Sequence, residues 1–498
     1  MTEAWIIDAC RTPRGVGKAG KGALWEVHPQ QLGATVLKAL AERSRIDTKE
    51  VGDVIWGTAA QVSKQSGDLG RMSALDAGYD VKASGITIDR FCGSGISAVS
   101  LAAACIKSGM EDLVVAGGTE MMSMDRSRGS GPPVMDNGNL RLRLHHPQTH
   151  QGICADAIAT LEKIPRQALD EAGYISQQRA AIAIAEGRFA KSLIPVYKED
   201  GTLALDREEY PRPQTTREGL ANLKAAFAAM ADVPLDDKGM TYRSLILQAY
   251  PDLKIEHVHH AGNSSGVVDG SAAVLLASPD YAKAHGLKPR ARVVAMANMG
   301  DSPELMLNAP VPAARKVLEK AGLKTSDIDL WEINEAFAVV SEKFVRDLDL
   351  DRDKVNVNGG SIALGHPIGA TGAILIGTVL DELERQDKQF GLVTMCAAGG
   401  MAPAIIIERS FSLKLATIFQ WPELAQQEGA LMAYGPPFPS IVRQLAAVIA
   451  RLMDGAGPPN LPVQQPTQIE LVINLKTARA LGMAMPPSLL VRANEVIE

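Results

Sequence analysis

Short apolar runs alternate with longer amphipathic or small-residue runs over the first 120 residues of the chain. Strands are predicted at residues 5–10, 53–57 and 112–120, and helices at residues 29–43 and from Gly70 onward. Strands that alternate with helices along a chain are typical of α/β folds, in which helices cover both faces of a sheet. The pattern therefore predicts an α/β core.

One stretch, residues 85–99, places a cysteine at the corner between a predicted strand and a predicted helix. Ile86 and Ile88 alternate as in a strand, and the small apolar residues from Ser97 onward favour a helix. A thiol at such a corner would face the free N–H groups of the helix N-terminus, which favour the thiolate. Taken alone, Cys92 is better explained as a buried structural cysteine, because free cysteine is among the most buried residue types.

The pattern changes between residues 121 and 250. Charged residues, Pro and Gly become more frequent, apolar strands disappear, and an amphipathic helix is predicted at residues 176–190. This indicates a segment inserted into the α/β core. Strands are predicted again at residues 255–259, 272–276 and 291–297, and a helix at residues 311–321.

The second part of the chain repeats the first. Residues 354–360 followed by 370–383 repeat the order strand, glycine corner and small-residue helix, and residues 390–400 resemble the strand at 112–118. Residues 4–9 have a counterpart at 292–297. Two similar α/β halves predict two sheets packed through shared helices, with an active site where the halves meet.

Composition narrows the class of protein. The chain has 498 residues, of which 46% are hydrophobic and 22% charged, as in soluble globular proteins of several domains. A net charge of −6 and only 4% aromatic residues argue against nucleic acid as a partner. The five cysteines lack C-x-x-C spacing, which fits a reducing cytoplasm better than a zinc module or a disulfide framework. The N-terminus does not resemble a signal peptide, and no apolar run is long enough to predict a membrane span.

Two apparent motifs are rejected. Residues 15–21 resemble a Walker A loop, but Gly22 stands where the magnesium-binding Ser or Thr is required. His257, His259 and His260 suggest a metal site. Alternation would place His257 and His259 on one face of a strand, however, and no carboxylate partner is evident on that face.

Four polar positions are candidates for chemistry. Cys92, His366 and Cys396 lie at glycine-flanked corners, and Asn334 precedes Glu335 in an otherwise apolar run. Each has a structural explanation when it is considered alone. His366 could be a loop histidine, Asn334 could cap the helix that follows, and Cys396 could be part of the core.

Together these positions resemble the thiolase family over residues 1–410. The motifs are Cys92-Gly93-Ser94, Asn334-Glu335-Ala336-Phe337, Gly365-His366-Pro367, the loop at Cys396, and Ala261-Gly262-Asn263-Ser264-Ser265-Gly266 followed by Asp269-Gly270. The resemblance implies a duplicated five-layer α/β/α/β/α fold with an inserted loop domain. The N-terminal half would be residues 1–270, including a CoA-binding loop domain at 121–250, and the C-terminal half residues 271–410.

The resemblance also implies a reversible, CoA-dependent Claisen condensation and its reverse, thiolysis. Cys92 would carry the acyl group, His366 would activate Cys92 and bind an oxyanion, and Cys396 would donate and accept protons. Asn334 would hold a water molecule in the same oxyanion site.

The family further implies CoA contacts at His150, Lys224 and Ser265, although Lys224 could equally lie on a solvated helix face. No permanently bound cofactor and no metal are expected, since CoA is substrate and product. The assembly would be a homodimer or homotetramer. A ketoacyl synthase is the alternative condensing enzyme. The loop at Cys396 argues against this alternative.

The Cys396 loop departs from the family pattern at Ala398, where Gly is more common. An N–H donor survives this change provided that φ at Ala398 is negative. We expect the chemistry to persist and the shape of the substrate pocket to differ.

Residues 411–498 lie outside the thiolase pattern and resemble the C-terminal end of an ABC-transporter substrate-binding protein. A helix is predicted at residues 440–453, and the resemblance implies a partial α/β appendage. This piece of a larger fold is too short to bury a full hydrophobic core. We therefore expect it to be poorly packed and to have no role in catalysis. A solute-binding or interaction protein is the alternative from another functional class, supported by this tail alone.

Overall fold

The computed structural model describes residues 3–124, 135–409, 418–419, 422, 431–454, 469–480 and 484–497. The chain divides into two compact units, residues 1–410 and 411–498.

The strands of the described residues are numbered in chain order. They are β1 Trp5–Arg11, β2 Gly15–Val16, β3 Asp53–Gly57, β4 Ser84–Ile88, β5 Leu113–Met121, β6 Val196–Tyr197, β7 Leu203–Leu205, β8 Val268–Ala277, β9 Ala291–Gly300, β10 Leu330–Ile333, β11 Phe390–Thr394, β12 Met401–Arg409, β13 Ile418–Phe419, β14 Met432–Gly435, β15 Glu470–Asn474 and β16 Glu495–Ile497.

The α-helices are numbered in the same way. They are α1 Pro29–Ser44, α2 Leu69–Asp76, α3 Ser94–Ser108, α4 Leu140–His145, α5 Gln151–Leu161, α6 Arg166–Ala185, α7 Arg217–Ala221, α8 Ala228–Ala231, α9 Tyr242–Ala249, α10 Pro279–Ala284, α11 Pro310–Ala321, α12 Ala338–Asp347, α13 Ser361–Leu364, α14 Ile368–Arg385, α15 Phe438–Met453, α16 Leu475–Ala480 and α17 Pro487–Leu490. Short 3₁₀ turns lie at Thr48–Glu50, Ser63–Gln65, Thr325–Asp327 and Arg352–Lys354.

The sheet of the first unit repeats one strand arrangement twice. Its order is β10-β11-β12-β9-β1-β8-β5-β3-β4, with β2 paired to β8 beside this path. In one half, parallel strands β4, β3 and β5 are followed by antiparallel β8 and β1; in the other, parallel β10 and β11 are followed by antiparallel β12 and β9. This confirms the duplicated α/β fold expected from the repeat.

The repeat predicted two separate sheets, but the two halves of the sheet are joined. β1 pairs with β9 at Trp5–Arg292 and Ile6–Ala291, which joins them into one continuous sheet. Two residue pairs make a narrow junction. The boundary expected at residue 270 falls inside β8, which pairs with strands of the N-terminal half.

Helices form the remaining layers. α1 packs on β1, β5 and β8, and α11 packs on β9, β11 and β12. α3 and α14 contact each other and strands of both halves, so they form the shared central layer. The buried cluster around Ile96, Val99, Ile374 and Leu380 fills this layer and is the core that holds the halves together.

Glycines set the close approach of the two central helices. A Cβ on Gly95 would lie 2.8 Å from the backbone N of Ala373, and one on Gly372 would lie 2.1 Å from the backbone N of Ile96. Both distances are too short for real carbon contacts, so only glycine permits this crossing. The crossing lies near the N-terminal ends of both helices, which brings the corners before them together.

Two predicted strands are wrong. Residues 255–259 have no regular structure, and residues 354–360 retain a single bridge, Val355 with Trp331. The helix predicted at 176–190 is real but starts earlier, at Arg166, and ends at Ala185. In each case side chains from other parts of the fold decide the outcome, which local periodicity does not reveal.

The second unit contains a four-stranded sheet of order β13-β14-β15-β16. The helix predicted at residues 440–453 is α15, which starts two residues earlier. Among the described residues, the buried apolar cluster of this unit is small: Ala433 and Val472, with Ile497 packed against them.

Candidate active site

Cys92 lies at the corner between β4 and α3, as the sequence predicted. The preceding residue, Phe91, has a left-handed φ of +48°, a conformation that costs free energy in a residue with a side chain. The hydroxyl of Ser94 stabilises the corner: it accepts from the Arg90 N–H at 2.9 Å and donates to the Phe91 carbonyl at 2.7 Å. The half-buried thiol of Cys92 therefore lies next to the N-terminus of a 15-residue helix.

Asn334 follows β10 directly and is fully buried. The Ser361 hydroxyl donates to Asn334 Oδ1 at 2.5 Å, and the Asn334 N–H donates to the Thr394 carbonyl at 3.2 Å. Since Oδ1 is the acceptor from Ser361, Nδ2 is the end of the amide that donates toward His366. The explanation of Asn334 as a helix cap is wrong, because α12 begins only at Ala338 and its N-cap residue is Phe337.

His366 lies between α13 and α14 and is buried. Its Nδ1 is 2.6 Å from Oγ1 of Thr371, and that hydroxyl donates its own hydrogen to the Pro367 carbonyl at 2.9 Å. With its hydrogen on that carbonyl, Thr371 Oγ1 accepts from Nδ1–H, and this hydrogen-bond network assigns the proton of the neutral imidazole to Nδ1. Nε2 then carries the lone pair, and Nδ2 of Asn334 lies 3.4 Å from it.

Cys396 follows β11 and is buried. Burial raises the pKa of its thiol, and the negative charge of a Cys92 thiolate raises it further. The second effect means that the two sulfur atoms lie within electrostatic reach of each other. Cys396 is therefore a protonated thiol at neutral pH.

Packing against glycine brings these corners together. A Cβ on Gly93 would lie 2.8 Å from Cδ of Pro403 on β12, and Thr394 Oγ1 donates to the Pro403 carbonyl at 2.8 Å. The Cys92 corner therefore lies against the strand pair that flanks Cys396. Together with the crossing of α3 and α14, this places the four candidate residues around one site between the halves.

The Ala398 position does not strain the Cys396 loop. Gly399 and Gly400 adopt left-handed φ values of 80° and 74°, whereas Ala398 is not among the residues with positive φ. The turn is closed by Ala397 and Met401, which exchange two backbone hydrogen bonds. Ala398 therefore keeps its N–H donor without the strain of a positive φ.

Glu335 organises the loop that carries Ser361. Its carboxylate accepts from the Ser176 hydroxyl at 2.7 Å, the Asn356 amide at 3.1 Å and the Ile362 N–H at 3.2 Å. Burial raises the pKa of this carboxyl group, and the three donors oppose that rise. Glu335 thus holds the segment that orients Asn334.

Sequence reasoning missed Thr371, Ser361 and Ser176. Thr371 and Ser361 lie within five residues of His366 and are polar in an otherwise glycine-rich and apolar segment, which is a signal that could have found them. Ser176 lies 159 residues from Glu335, and no local pattern connects the two.

The three candidate CoA contacts lie in different surroundings. The ring of His150 lies 5.7 Å from that of Phe227 and 5.5 Å from that of Tyr242, and burial lowers its pKa. The Ser265 N–H donates to the Ala336 carbonyl at 3.0 Å, within the segment that follows Asn334. Lys224 is exposed, between α7 and α8.

A cavity of about 210 Å³ opens beside the Ser265 segment. Its lining includes Tyr210, Arg212, Leu220, Leu223 and Gly262. Neutral polar side chains, those of Gln177, Gln214, Thr215 and Thr216, also line it. The wall therefore combines apolar and polar groups with one cation, mostly from the segment that the sequence identified as an insertion.

The predicted placement of His257 and His259 on a strand with no carboxylate nearby is wrong. These residues are not on a strand, and a carboxylate does face them: Asp156 on α5 binds Nδ1 of His257 at 2.7 Å and Nδ1 of His259 at 2.8 Å. Asp156 also accepts the backbone N–H groups of Val258 and His259. Its acceptor sites are occupied by this loop. Over the described part of the chain, no group of three or more His, Cys, Asp or Glu side chains is arranged to hold a metal ion.

Comparison with known proteins identifies the family. Residues 4–233 match the family model of the thiolase N-terminal domain, and residues 287–409 that of the thiolase C-terminal domain. The β-ketoadipyl-CoA thiolase of Acinetobacter baylyi is 38% identical over 429 residues, a match that covers 82% of this chain and all of that protein. The chain belongs to the thiolase family.

Other relatives have different names within the same family. The steroid 3-ketoacyl-CoA thiolase FadA6 of Mycobacterium tuberculosis is 39% identical over 418 residues, covering 82% of this chain and 95% of that protein. The acetyl-CoA acetyltransferase of Escherichia coli is 37% identical over 422 residues, covering 82% and 100%. The crystal structure of the Bacillus anthracis acetyl-CoA acetyltransferase superposes with a TM-score of 0.69 at 34% identity, covering 82% of this chain and 99% of that one.

The chain is therefore a CoA-dependent thiolase, an acyltransferase with the thiolase fold. The tail also matches as expected: residues 396–497 fit the family model of ABC transporter substrate binding proteins. Among the described residues, one helical segment, Phe91–Ser108, is long and apolar enough to cross a membrane, but 61% of it is buried in the fold as part of the central layer.

Proposed function

We propose that Cys92, His366, Cys396 and Asn334 are the catalytic residues of this thiolase. The observation that supports this most strongly is the contact between Nδ1 of His366 and the hydroxyl of Thr371. Its Nδ1 proton is held by Thr371, so the lone pair at Nε2 is the group able to accept the thiol proton of Cys92. The helix N-terminus beside Cys92 favours the resulting thiolate.

In thiolysis, the Cys92 thiolate attacks the 3-carbonyl carbon of a 3-oxoacyl-CoA. The bond between C2 and C3 then breaks and leaves an acyl thioester on Cys92 and the enolate of acetyl-CoA. Cys396 donates its proton to C2 of that enolate, which is why a protonated thiol is required there. Its raised pKa supplies that state at neutral pH. CoA then attacks the acyl-Cys92 thioester, and its thiol proton passes to the Cys396 thiolate. Cys92 leaves as a thiolate, recovers its proton from His366, and the shortened acyl-CoA is released.

Condensation uses the same residues in the opposite direction. Acetyl-CoA acylates Cys92, and a Cys396 thiolate removes the α-proton of a second acetyl-CoA. Thiolysis is the thermodynamically easier direction. For this reason we propose that the degradative direction, including a role in β-oxidation, is the main one.

Two oxyanions need donors during this chemistry. We propose that protonated Nε2 of His366, together with a water held by Nδ2 of Asn334, stabilises one of them. Backbone N–H groups at Cys92 and near Ala398 stabilise the other. One preorganised donor of this kind is typically worth about 3 kcal/mol of activation free energy.

We propose that CoA binds along the loop domain at residues 121–250, with His150, Lys224 and Ser265 as contacts. His150 is kept neutral by its lowered pKa and can donate to or accept from the polar groups of pantetheine. Ser265 is joined to the catalytic loop, because the next residue, Gly266, accepts the His366 N–H at 2.9 Å. Lys224 is exposed and suits a phosphate group.

We also propose a homodimer or homotetramer in the cytoplasm. β4 is the last strand of the sheet, and its Ile86 side chain is exposed, as is Leu101 on α3. An exposed apolar edge strand is a template for pairing with a second copy. All five cysteines are free, which suits a reducing compartment.

The experiment is an assay of CoA-dependent cleavage of acetoacetyl-CoA and of a longer 3-oxoacyl-CoA, which also reports chain-length preference. We expect cleavage of at least one substrate, lost in Cys92→Ala and Cys396→Ala. A ketoacyl synthase would cleave neither, and a solute-binding protein would bind without turnover. Full activity of either variant would contradict the assigned roles.

A further inference from the structure

We infer that His260 is a positioning residue, which holds the backbone turn at Gly262 and through that turn sets the affinity of this thiolase for CoA. The inference rests on the proposed CoA site along the loop domain, because Gly262 lines the cavity there. The His260 side chain is buried, and the proposed chemistry does not use it.

The contacts of the imidazole give each of its nitrogens a different partner. Nδ1 of His260 lies 3.0 Å from the backbone N–H of Gly262, and a backbone N–H can only donate. This contact assigns the ring proton to Nε2, which lies 2.8 Å from Oδ1 of Asp170 and donates to it. The imidazole therefore joins α6 to the turn, with its donor on the helix and its acceptor on the turn.

Asp170 on α6 is the anchor of this connection. Its carboxylate also accepts from Nε of Arg166 at 2.8 Å and from Nδ2 of Asn263 at 2.8 Å. Burial acts to raise the pKa of the carboxyl group, but hydrogen bonds from His260 and Arg166 outweigh it, and the pKa lies below its ordinary value. Asp170 is therefore ionised at neutral pH, and its hydrogen bonds are of the strong, charge-assisted kind.

The same ion pair holds the opposite wall of the cavity. Nη2 of Arg166 donates to the carbonyl groups of Leu220 at 2.9 Å and Leu223 at 2.8 Å, at the end of α7 and just after it. A Cβ on Gly262 would lie 2.4 Å from Cδ2 of Leu220 and 3.0 Å from Cδ1 of Leu223, so the turn packs directly on these leucines. Because Gly262 and both leucines line the cavity, the position of the turn determines the width of the cavity.

The catalytic end of this segment is held by other bonds. Ser265 and Gly266 donate their N–H groups to the carbonyls of Ala336 and Ser361, each at 3.0 Å. Neither bond involves the imidazole. Loss of the Gly262 contact should therefore move the cavity wall and leave the catalytic histidine in place, so KM for CoA should change and kcat should not.

Two substitutions of His260 separate its two contacts. In His260→Asn the amide oxygen takes the place of Nδ1 and still accepts from Gly262, whereas in His260→Gln the amide nitrogen takes the place of Nε2 and still donates to Asp170. The backbone at residue 260 stays fixed in both variants, because its N–H donates to Oδ1 of Asn263 at 2.8 Å.

The affinity of the full chain for CoA, measured by titration calorimetry, tests the inference without any need for turnover. We expect His260→Gln to weaken CoA binding about fivefold and to raise KM for CoA in thiolysis by the same factor, which corresponds to the loss of one hydrogen bond. His260→Asn should keep the affinity of the unsubstituted chain. Because His260→Asn gives up the charge-assisted bond to Asp170, it should have the lower Tm of the two, so affinity and stability change in opposite order.

Unchanged CoA affinity in His260→Gln is by itself sufficient to overturn the inference. Weaker binding by His260→Asn than by His260→Gln would do so too, because affinity would then follow stability. A fall in kcat as large as the rise in KM would show that His260 acts on the catalytic residues instead. If the unsubstituted chain does not bind CoA, the proposed CoA site fails together with the inference. If it binds CoA but cleaves no 3-oxoacyl-CoA, the proposed catalysis alone is contradicted.

Discussion

The Nδ1 atom of His366 donates to Oγ1 of Thr371 over 2.6 Å, and this contact determines which nitrogen of the imidazole can act as a base. We assign Thr371 as the acceptor because its own hydrogen is directed to the Pro367 carbonyl. One turn of α14 therefore both positions the ring and assigns its tautomer.

Replacing Thr371 by Val tests that relationship. Valine keeps the shape but removes the acceptor, so His366 is no longer held in one tautomer. We expect kcat for thiolysis to fall about tenfold with little change in KM, which corresponds to the loss of roughly one hydrogen bond. Thr378→Val is the matched control: Thr378 lies on the same helix and donates to the Ile374 carbonyl in the same way. Equal effects of the two variants would mean that Thr371 only stabilises the helix.

The cysteines should differ in reactivity. Burial raises the pKa of Cys10 to about 12 and raises the pKa values of Cys154 and Cys396. Only a thiolate reacts readily, so these three thiols should resist alkylation in the folded protein. We expect iodoacetamide at pH 7.5 to modify Cys92 first, with loss of activity in proportion, as measured by peptide mass spectrometry. Faster modification of Cys396 would contradict the assignment of Cys92 as nucleophile.

Glu332 makes the stability of the protein depend on pH. Burial, followed by the charges of Glu335 and Glu382, raises its pKa well above the unfolded value near 4.5. Below its raised folded-state pKa, the carboxyl group of Glu332 is neutral. As the pH rises through that pKa, the group ionises inside the protein and the free energy of unfolding falls. We expect Glu332→Gln, which cannot ionise, to raise Tm by about 2 °C at pH 8 and to have no such benefit near pH 4.

Glu335→Gln is the contrasting variant. Glu335 is also buried, but its two oxygens accept from three donors, and an amide NH₂ would face one of them. We expect Tm to fall and activity to decrease, because the loop that orients Asn334 is disturbed. A stabilising effect of Glu335→Gln would show that the network is not needed.

The crossing of α3 and α14 should be intolerant of even one methyl group. A Cβ on Gly372 would meet the backbone of Ile96, which cannot move aside, so Gly372→Ala should strongly destabilise the fold or prevent folding. Gly377→Ala on the same helix is the control, because its Cβ would meet only the Ala9 methyl at 3.3 Å. We expect the control to keep a near-normal Tm in thermal unfolding.

Periodicity predicted the elements whose pattern is local. β3, β5 and α1 lie within one or two residues of the predicted bounds, and the repeat predicted the duplicated halves. The glycine corners also identified Cys92, His366 and Cys396 as residues of interest. Their assembly at one site could be inferred only through the family resemblance, because the packing of Gly95 on Gly372 joins residues far apart in the chain.

The failures have a common physical cause. Residues 255–259 alternate like a strand, yet Asp156 binds two of their backbone N–H groups and two of their imidazole rings, which replaces the hydrogen bonds of a sheet. The partners of His366 and Asn334 were missed because a hydroxyl carries no periodic signal. The side chains that complete the site are therefore those that pattern predicts least well.

The most direct test of the proposed chemistry is the mass of the enzyme after brief incubation with acetyl-CoA and no second substrate. We expect the intact chain to gain one acetyl group, located on Cys92 by peptide mass spectrometry and removed again by free CoA. Cys92→Ala should stay unmodified while it keeps the Tm of the unsubstituted chain. An acetyl group on any other residue, or acetyl transfer by a folded Cys92→Ala variant, would contradict the role of Cys92 as the acyl carrier.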